Sequence, residues 1–353
     1  MKKVRKMGMG AFIIRRLLLT IPTLIGVTLL IFGVTQLFTP EQRAVIFLRQ
    51  DPRRAGAIEG AIAKYHLRDP IIVQYQMWIS EVLQGNFGWS LTANKPVLTA
   101  ILAKFPATVE VVMFSIPITI LVGIFLGVKS AEHRDKHIDH ATRILSIIGY
   151  SLPTFWLGII LLAIFAAALG WFPISGRLGA GALNFVTSRF SGWRTYSGIY
   201  TIDGILNGQL WITLDALHHL VLPTITLVTI QIALIIRVMR SSMLEALGKG
   251  YITAARAKGL TKKEVINKHA RKNALIPVIT LAGLMAAGLI NGVTITETVY
   301  NMDGIGRWAA SAGINIDIPS VLGFALFSGL IYVMANLVVD ILYAYIDPRI
   351  RLE

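Results

Sequence analysis

Six stretches of this chain are each long and apolar enough to cross a hydrocarbon layer, and no other feature narrows its fold so far. A spanning helix needs about 20 mostly apolar residues, and the runs 17–38, 106–128, 144–169, 220–238, 276–298 and 321–345 meet that requirement. In lipid each backbone polar group must find its partner within the segment, so each run is expected to be helical. With 54% of its 353 residues hydrophobic and only 15% charged, the chain carries more apolar length than a soluble core absorbs. The first run is too long for a signal sequence and no small-residue cleavage site precedes a soluble domain, so it is expected to remain as a span.

Charge then orients the spans. If both ends are cytoplasmic, the inside segments hold most of the 34 Lys and Arg residues, from Lys2, Lys3, Arg5, Lys6, Arg15 and Arg16 through Lys129, Arg134, Lys136 and Arg143 to Arg349 and Arg351. The densest inside segment runs from Arg237 to Lys272. This is the positive-inside pattern, and it accounts for a net charge of +15 without nucleic acid, for which no aromatic interleaving or motif is present. With no cysteine, neither disulfides nor thiolate metal sites exist.

Within that segment, 251–280 reads YITAARAKGLTKKEVINKHARKNALIPVIT, a polar, basic insert between two apolar runs. Its spacing predicts two short helices around a turn at Gly259, the second capped by Thr261 with Glu264 at its third position. Tyr251, Ala254, Ala255 and Lys258 are expected to share one face of the first helix, and Val265, Ile266 and His269 one face of the second. Gly259 suits either a tight turn or a simple helix C-cap.

The insert resembles the cytoplasmic loop of permease subunits of the dipeptide/oligopeptide ABC importer family. Thr253-Ala254-Ala255, three residues and Gly259 stand where the general importer motif has E-A-A, three residues and G; His269-Ala270-Arg271-Lys272-Asn273 matches the peptide branch instead of I-x-L-P. GNFGWSLTANKPV is similar to the family's GDLGxS…PV segment with Asn86 for Asp, and Asp303-Gly304-Ile305-Gly306-Arg307-Trp308 to its P-G-x-G-R-W with Asp303 for Pro. Together with GYSLPTFWLGIILL, HHLVLPTITL and the DPRIR tail, the resemblance covers nearly the whole chain.

The resemblance implies an all-α polytopic membrane protein with six transmembrane helices of the type I importer permease fold. It implies a cytoplasmic N-terminus and first span (1–38), an external segment with an amphipathic helix (39–105) and a transmembrane core (106–345). The core would carry an external loop (170–217) and a cytoplasmic coupling loop (240–275), and the chain would end in a cytoplasmic tail (346–353). It looks like the first of two permease subunits in the cytoplasmic (inner) membrane of a bacterium or archaeon. Its partners would be a second homologous permease, two cytoplasmic ATPase subunits that bind ATP and Mg, and an external substrate-binding protein. The ATPase would engage Thr253, Ala254, Ala255, Arg256, Lys258, Gly259, Leu260 and Thr261, and its closure would rock the two permeases between inward and outward access.

Other segments read on their own terms. Asp69-Pro70 looks like a cap and first-turn proline ahead of Ile71, Ile72, Tyr75, Trp78, Ile79, Val82 and Leu83 at helical spacing, an amphipathic helix on the membrane or on its own bundle. Aromatics in 170–217 suit an interfacial belt more than a substrate grip. Pro22, Pro117, Pro153, Pro223 and Pro277 are each able to kink a span. Glu110, Asn336 and Asp340 are candidate intramembrane polar contacts, since a charge at mid-span costs about 2.5–3.5 kcal/mol and needs a partner or water. His133, His137 and His140 recur at i, i+4, i+7, a metal-compatible spacing, but in a loop of solvated charge. His218 and His219 stand at a membrane boundary and are expected to anchor there.

No phosphate loop, G-x-S-x-G or H-E-x-x-H occurs, so the chain reads as a translocation subunit without catalytic, cofactor or metal residues. A gradient-driven carrier is the competing class, but paired repeats with broken helices are not evident. A scaffold or channel would not need the insert. Within the importer reading, oligosaccharide, nickel complexes or glutathione compete with peptides as substrate, because one fold serves them all.

Overall fold

The computed structural model describes residues 9–48, 56–290 and 293–346. The N-terminal lysines, residues 291–292 of the fifth apolar run and the basic tail from 347 lie outside them. The first run forms α1 (Met9–Thr35), with Pro22 inside it. Three short helices follow, α2 (Pro40–Phe47), α3 (Ala57–Lys64) and α4 (Ile71–Leu83), then an antiparallel pair, β1 (Trp89–Ser90) with β2 (Lys95–Pro96).

The apolar residues at helical spacing in α4 pack against the protein's own helices. Trp78 is buried against Phe32 of α1 at 5.6 Å between ring centroids, Tyr75 reaches Thr28 of α1 at 3.0 Å, and Leu322 completes the cluster. Ile71, Ile72 and Leu83 stay exposed. The expected Asp69 cap does not form: Pro70, extended at φ −53° and ψ 145°, takes the capping position, and Asp69 instead meets the His66 ring at 2.8 Å.

The central pair is α5 (Val97–Glu132) and α10 (Leu210–Leu247), each longer than the apolar run inside it. Gly123 and Gly127 let them cross closely. A Cβ on Gly123 would lie 2.5 Å from Ile235 Cγ2, and one on Gly127 2.6 Å from Met239 Cβ. Small residues four apart are how helices approach where no hydrophobic force distinguishes protein from lipid.

The third apolar run is not one straight span. α6 (His137–Ser151) and α7 (Thr154–Leu161), the latter extended by a π-helical turn at Leu162–Ala168, meet at a 102° bend. Pro153 excludes Leu152 from helical space, and Leu152 sits at φ −78°, ψ 127°. By contrast Pro22, Pro106, Pro117, Pro223 and Pro277 all lie inside continuous helices.

Between α7 and α10 come α8 (Ala180–Thr187) and α9 (Tyr200–Leu206). After α10 come α11 (Gly250–Ala257), α12 (Lys262–Glu264), a π-helical turn at Val265–Ala270, and α13 (Arg271–Ile290). α14 (Thr294–Val299), α15 (Ile305–Ile314) and α16 (Ile318–Ile346) complete the order. Among the described residues α1, α5, α10 and α16 are long and apolar enough to cross a membrane, and α6 with α7 makes a fifth candidate if the bent pair counts as one span.

Candidate functional site

The insert after α10 folds as two helical pieces joined by a fixed turn. Gly259, at φ +79°, occupies the left-handed position after α11. Its N–H donates to Arg256 O at 2.9 Å and that of Leu260 to Ala255 O at 3.4 Å, the paired bonds of a Schellman cap. Leu260 and Ala255 both enter the same apolar cluster, the contact that accompanies such a cap. A side chain at Gly259 would meet nothing within 4 Å, so the glycine is required here by its dihedral angle and not by crowding.

Two residues on, Thr261 starts α12 with a complete capping box. Glu264 N–H donates to Thr261 Oγ1 at 3.3 Å, and Thr261 N–H donates to Glu264 Oε2 at 3.1 Å. The bond from the Thr261 backbone holds the Glu264 carboxyl below the usual carboxylate range, helped by the Thr261 hydroxyl and Lys268. A C-cap and an N-cap are thus back to back, and residues 258–261 have few conformations left.

The apolar face of α11 differs from the expected one. Ile252 and Ala255 are buried against Met239, Met243, Val265, Ile266 and Ala270, whereas Tyr251, Ala254 and Lys258 face outward with Thr253, Arg256, Ala257 and Gly259. A face of i and i+3 through Ile252 wins because it is wholly apolar, whereas burying the expected face would desolvate the Tyr251 hydroxyl and the Lys258 charge. In the second piece Val265 and Ile266 are buried as expected, and His269 is half-buried. Asn273 Nδ2 donates to His269 O at 3.0 Å and to the Tyr251 hydroxyl at 3.2 Å, joining the base of α13 to the start of α11. The outcome is a surface of small residues edged by Arg256 and Lys258, underpinned by a packed apolar layer.

The polar candidates in the spans lie elsewhere and do not converge. Glu110, fully buried on α5, accepts from Arg177 Nη2 at 2.6 Å, Arg177 Nε at 3.0 Å and Thr201 N at 2.8 Å. It therefore fastens the 170–209 segment to α5, and Arg177 also lies over the Tyr200 ring at 4.3 Å. Asp340 Oδ2 is 3.0 Å from Arg16 Nη1 of α1. Asn336 is half-buried and has no hydrogen bond among the described residues.

The buried carboxylates Asp139, Glu297 and Asp317 also have partners that sequence reasoning missed. Asp139 accepts Arg240 Nε and Nη2, both at 2.7 Å, and Ser130 Oγ at 2.5 Å, tying α6 to α10 and α5. Glu297 accepts Thr108 Oγ1 at 2.5 Å and Arg307 N at 2.8 Å, and a Cβ on Gly304 would collide with its carboxylate. Asp317 accepts Ser90 Oγ at 3.0 Å and Thr92 N at 2.8 Å. The available signal was an acidic residue in a weakly charged chain, which by default needs a named partner.

The histidine spacing does not make a cluster. His133 caps α5 with its ring Nδ1 on Lys129 O at 3.0 Å, and the chain turns at Asp135 (φ +60°) before α6 begins at His137. Among the described residues no three His, Cys, Asp or Glu are grouped to hold a metal ion. His218 and His219 each have a ring nitrogen 2.8 Å from a backbone carbonyl, of Trp171 and Asp215 respectively.

Residues 119–352 match the family described as "Binding-protein-dependent transport system inner membrane component". The chain is 38% identical over 344 residues to the dipeptide transport system permease protein DppB of Alkalihalophilus pseudofirmus, covering 97% of this chain and 100% of that protein. It is 39% identical over 345 residues to the di/tripeptide transport system permease protein DppB of Pseudomonas aeruginosa (97% and 99%). With the oligopeptide transport system permease protein AppB of Bacillus subtilis it shares 35% over 345 residues (97% and 100%). A membrane-spanning helical bundle whose basic insert is rigidly capped on both sides of one glycine, matched across two thirds of its length, belongs to the family of binding-protein-dependent transport system inner membrane components.

Proposed function

We propose that this chain is one of two permease subunits of an ATP-driven importer of dipeptides or oligopeptides, and that residues 253–261 are where an ATPase subunit engages it. The single observation that carries the reading is the doubly capped turn at Gly259, which holds an exposed small-residue face rigidly on the end of α10 and α13. A force applied there would move the bundle instead of deforming the loop. The naming of the relatives for dipeptides, di/tripeptides and oligopeptides supports the substrate class. A six-span count, with α13 and α14 sharing the fifth, and cytoplasmic placement of both termini are supported by the apolar runs and the basic inside segments. Residues 39–105 and 170–217 are then external and 240–275 cytoplasmic. A second permease, two ATPases carrying ATP and Mg, and an external binding protein complete the machine.

Gly259 tests this reading. Asn tolerates the left-handed dihedral and is neutral, whereas Asp has the same shape and adds a negative charge to a docking face edged by Arg256 and Lys258. In proteoliposomes of the assembled importer, Gly259→Asn is expected to retain uptake and Gly259→Asp to insert normally yet uncouple ATP hydrolysis from uptake. Normal uptake by the Asp variant would sink the assignment of the docking face.

A further inference from the structure

A groove of about 690 Å³ opens between α5 and the segment running from α12 into α13. Its walls change character along their length. Leu121 and Phe125 of α5 form its apolar end and are open to the surroundings, 69% and 60% exposed. Lys129 of α5 stands at the rim with Lys262, Lys263 and Arg271 from the facing segment. Among the described residues Glu132 is the one carboxylate lining it, and it lies 3.1 Å from Lys129. Among the described residues Lys262 and Lys263 meet no carboxylate, and Arg271 meets only Asn267 at 3.4 Å.

The two ends fit two parts of one molecule. From Leu121 to Lys129 is eight residues, about 12 Å along a helix. That separates an apolar floor at hydrocarbon depth from a cationic rim at headgroup depth. A soluble subunit could reach the rim but not the floor. A neutral lipid would satisfy the floor and leave the cations unanswered, whereas basic pockets between spans on the cytoplasmic side suit acidic headgroups.

We propose that this groove binds one anionic phospholipid of the cytoplasmic leaflet, its phosphate among Lys262, Lys263 and Arg271 and an acyl chain along Leu121 and Phe125. The site rests on the cytoplasmic placement of 240–275 argued above. The lipid would bridge α5 to the base of α13, one helical piece away from the docking turn. Coupling would then depend on leaflet charge as well as on the ATPase.

The chain has no cysteine, so Leu121→Cys gives a unique fluorophore position in the full-length protein. In phosphatidylcholine vesicles, brominated phosphatidylglycerol is expected to quench the label more effectively than brominated phosphatidylcholine at equal mole fraction. Each basic side chain near an anionic surface contributes about fivefold to partition, so Lys262→Gln with Lys263→Gln and Arg271→Gln is expected to weaken the preference at least about tenfold. Lys262→Arg with Lys263→Arg preserves it, which separates charge from misfolding. Equal quenching by both lipids, a preference that survives the triple Gln variant, or shielding from both lipids by another protein surface would each overturn the site. Orientation is read separately with Lys263→Cys and a membrane-impermeant maleimide. Labelling in intact cells would overturn the cytoplasmic placement while a headgroup preference still stood; protection there with no preference would remove the lipid site alone.

Discussion

Replacing Gly127 by Ala is expected to push α5 and α10 apart. The new methyl would lie 2.6 Å from Met239 Cβ and 3.0 Å from Ile236 O, against an ordinary carbon–carbon contact of about 3.5–4.0 Å. Met239 is fully buried, so no rotamer change frees the space, and the helices must part by about 1 Å. Overpacking of this kind costs about 1–3 kcal/mol. Ala also gains about 1 kcal/mol over Gly in helix propensity, which would hide part of the cost. Gly26→Ala on α1 removes that ambiguity, because a Cβ there meets nothing within 4 Å. Reversible unfolding in mixed detergent–SDS micelles, followed by circular dichroism, should place Gly127→Ala about 1–3 kcal/mol below Gly26→Ala. Because α10 leads directly into α11, the same variant should also lower ATP-coupled uptake. Equal stability of the two variants would refute the close-crossing argument.

Removing Glu110 as Ala should strand Arg177 in a nearly dry site, at a cost of about 3–5 kcal/mol, and loosen the backbone around the already exposed Arg189 and Arg194 so that trypsin cuts there faster; an unchanged cleavage rate would mean the 170–209 segment is held by other contacts. Gly304→Ala should displace the Glu297 carboxylate from the Arg307 N–H and loosen the turn before α15, seen as faster amide exchange at Arg307, while Gly313→Ala, with open space around it, should not. The Glu264 cap should depend on pH with a definite sign. Its folded-state pKa lies below the ordinary value, so the cap contributes stability above the ordinary carboxylate pKa of about 4.3 that is lost as pH falls through the lowered value. Protection of the Thr261 amide should therefore decline only under acid conditions, and Glu264→Gln should abolish that acid-dependent step.

Local rules carried the sequence reading where a few adjacent residues decide the outcome. Thr261 and Glu264 at a three-residue spacing formed the capping box, Gly259 took the left-handed position, and the apolar repeat in 71–83 became α4. The reading lost ground where distant residues decide. Nothing near Glu110 announces Arg177, 67 positions away, and nothing near Asp139 announces Arg240, 101 away. Hydropathy alone treated 144–169 as one rod, although the chain bends by 102° at Pro153, while Pro22, Pro106, Pro117, Pro223 and Pro277 were absorbed into continuous helices. Which outcome a proline produces depends on whether neighbouring helices satisfy the freed backbone, a tertiary matter. On α11 the small residues offered two helical faces, and only the packing of Ile252 under α10 chose between them.

The length of α10 has a mechanical consequence. Its 38 residues make a rod of about 57 Å, nearly twice a hydrocarbon thickness of about 30 Å. One end carries α11 and the Gly259 turn. Near the other end, Asp215 accepts Gly179 N at 2.7 Å and Thr213 donates to Thr201 O at 3.1 Å, clamping α8 and α9. Arg240 is fixed to Asp139 toward the first end, and the glycine crossing with α5 lies between the two. In the proposed importer such a rod would act as a lever with its fulcrum at Gly123 and Gly127. A small tilt imposed at one of its ends would return at the other as a displacement of the loop that α10 carries, with no signal relayed through side chains in between.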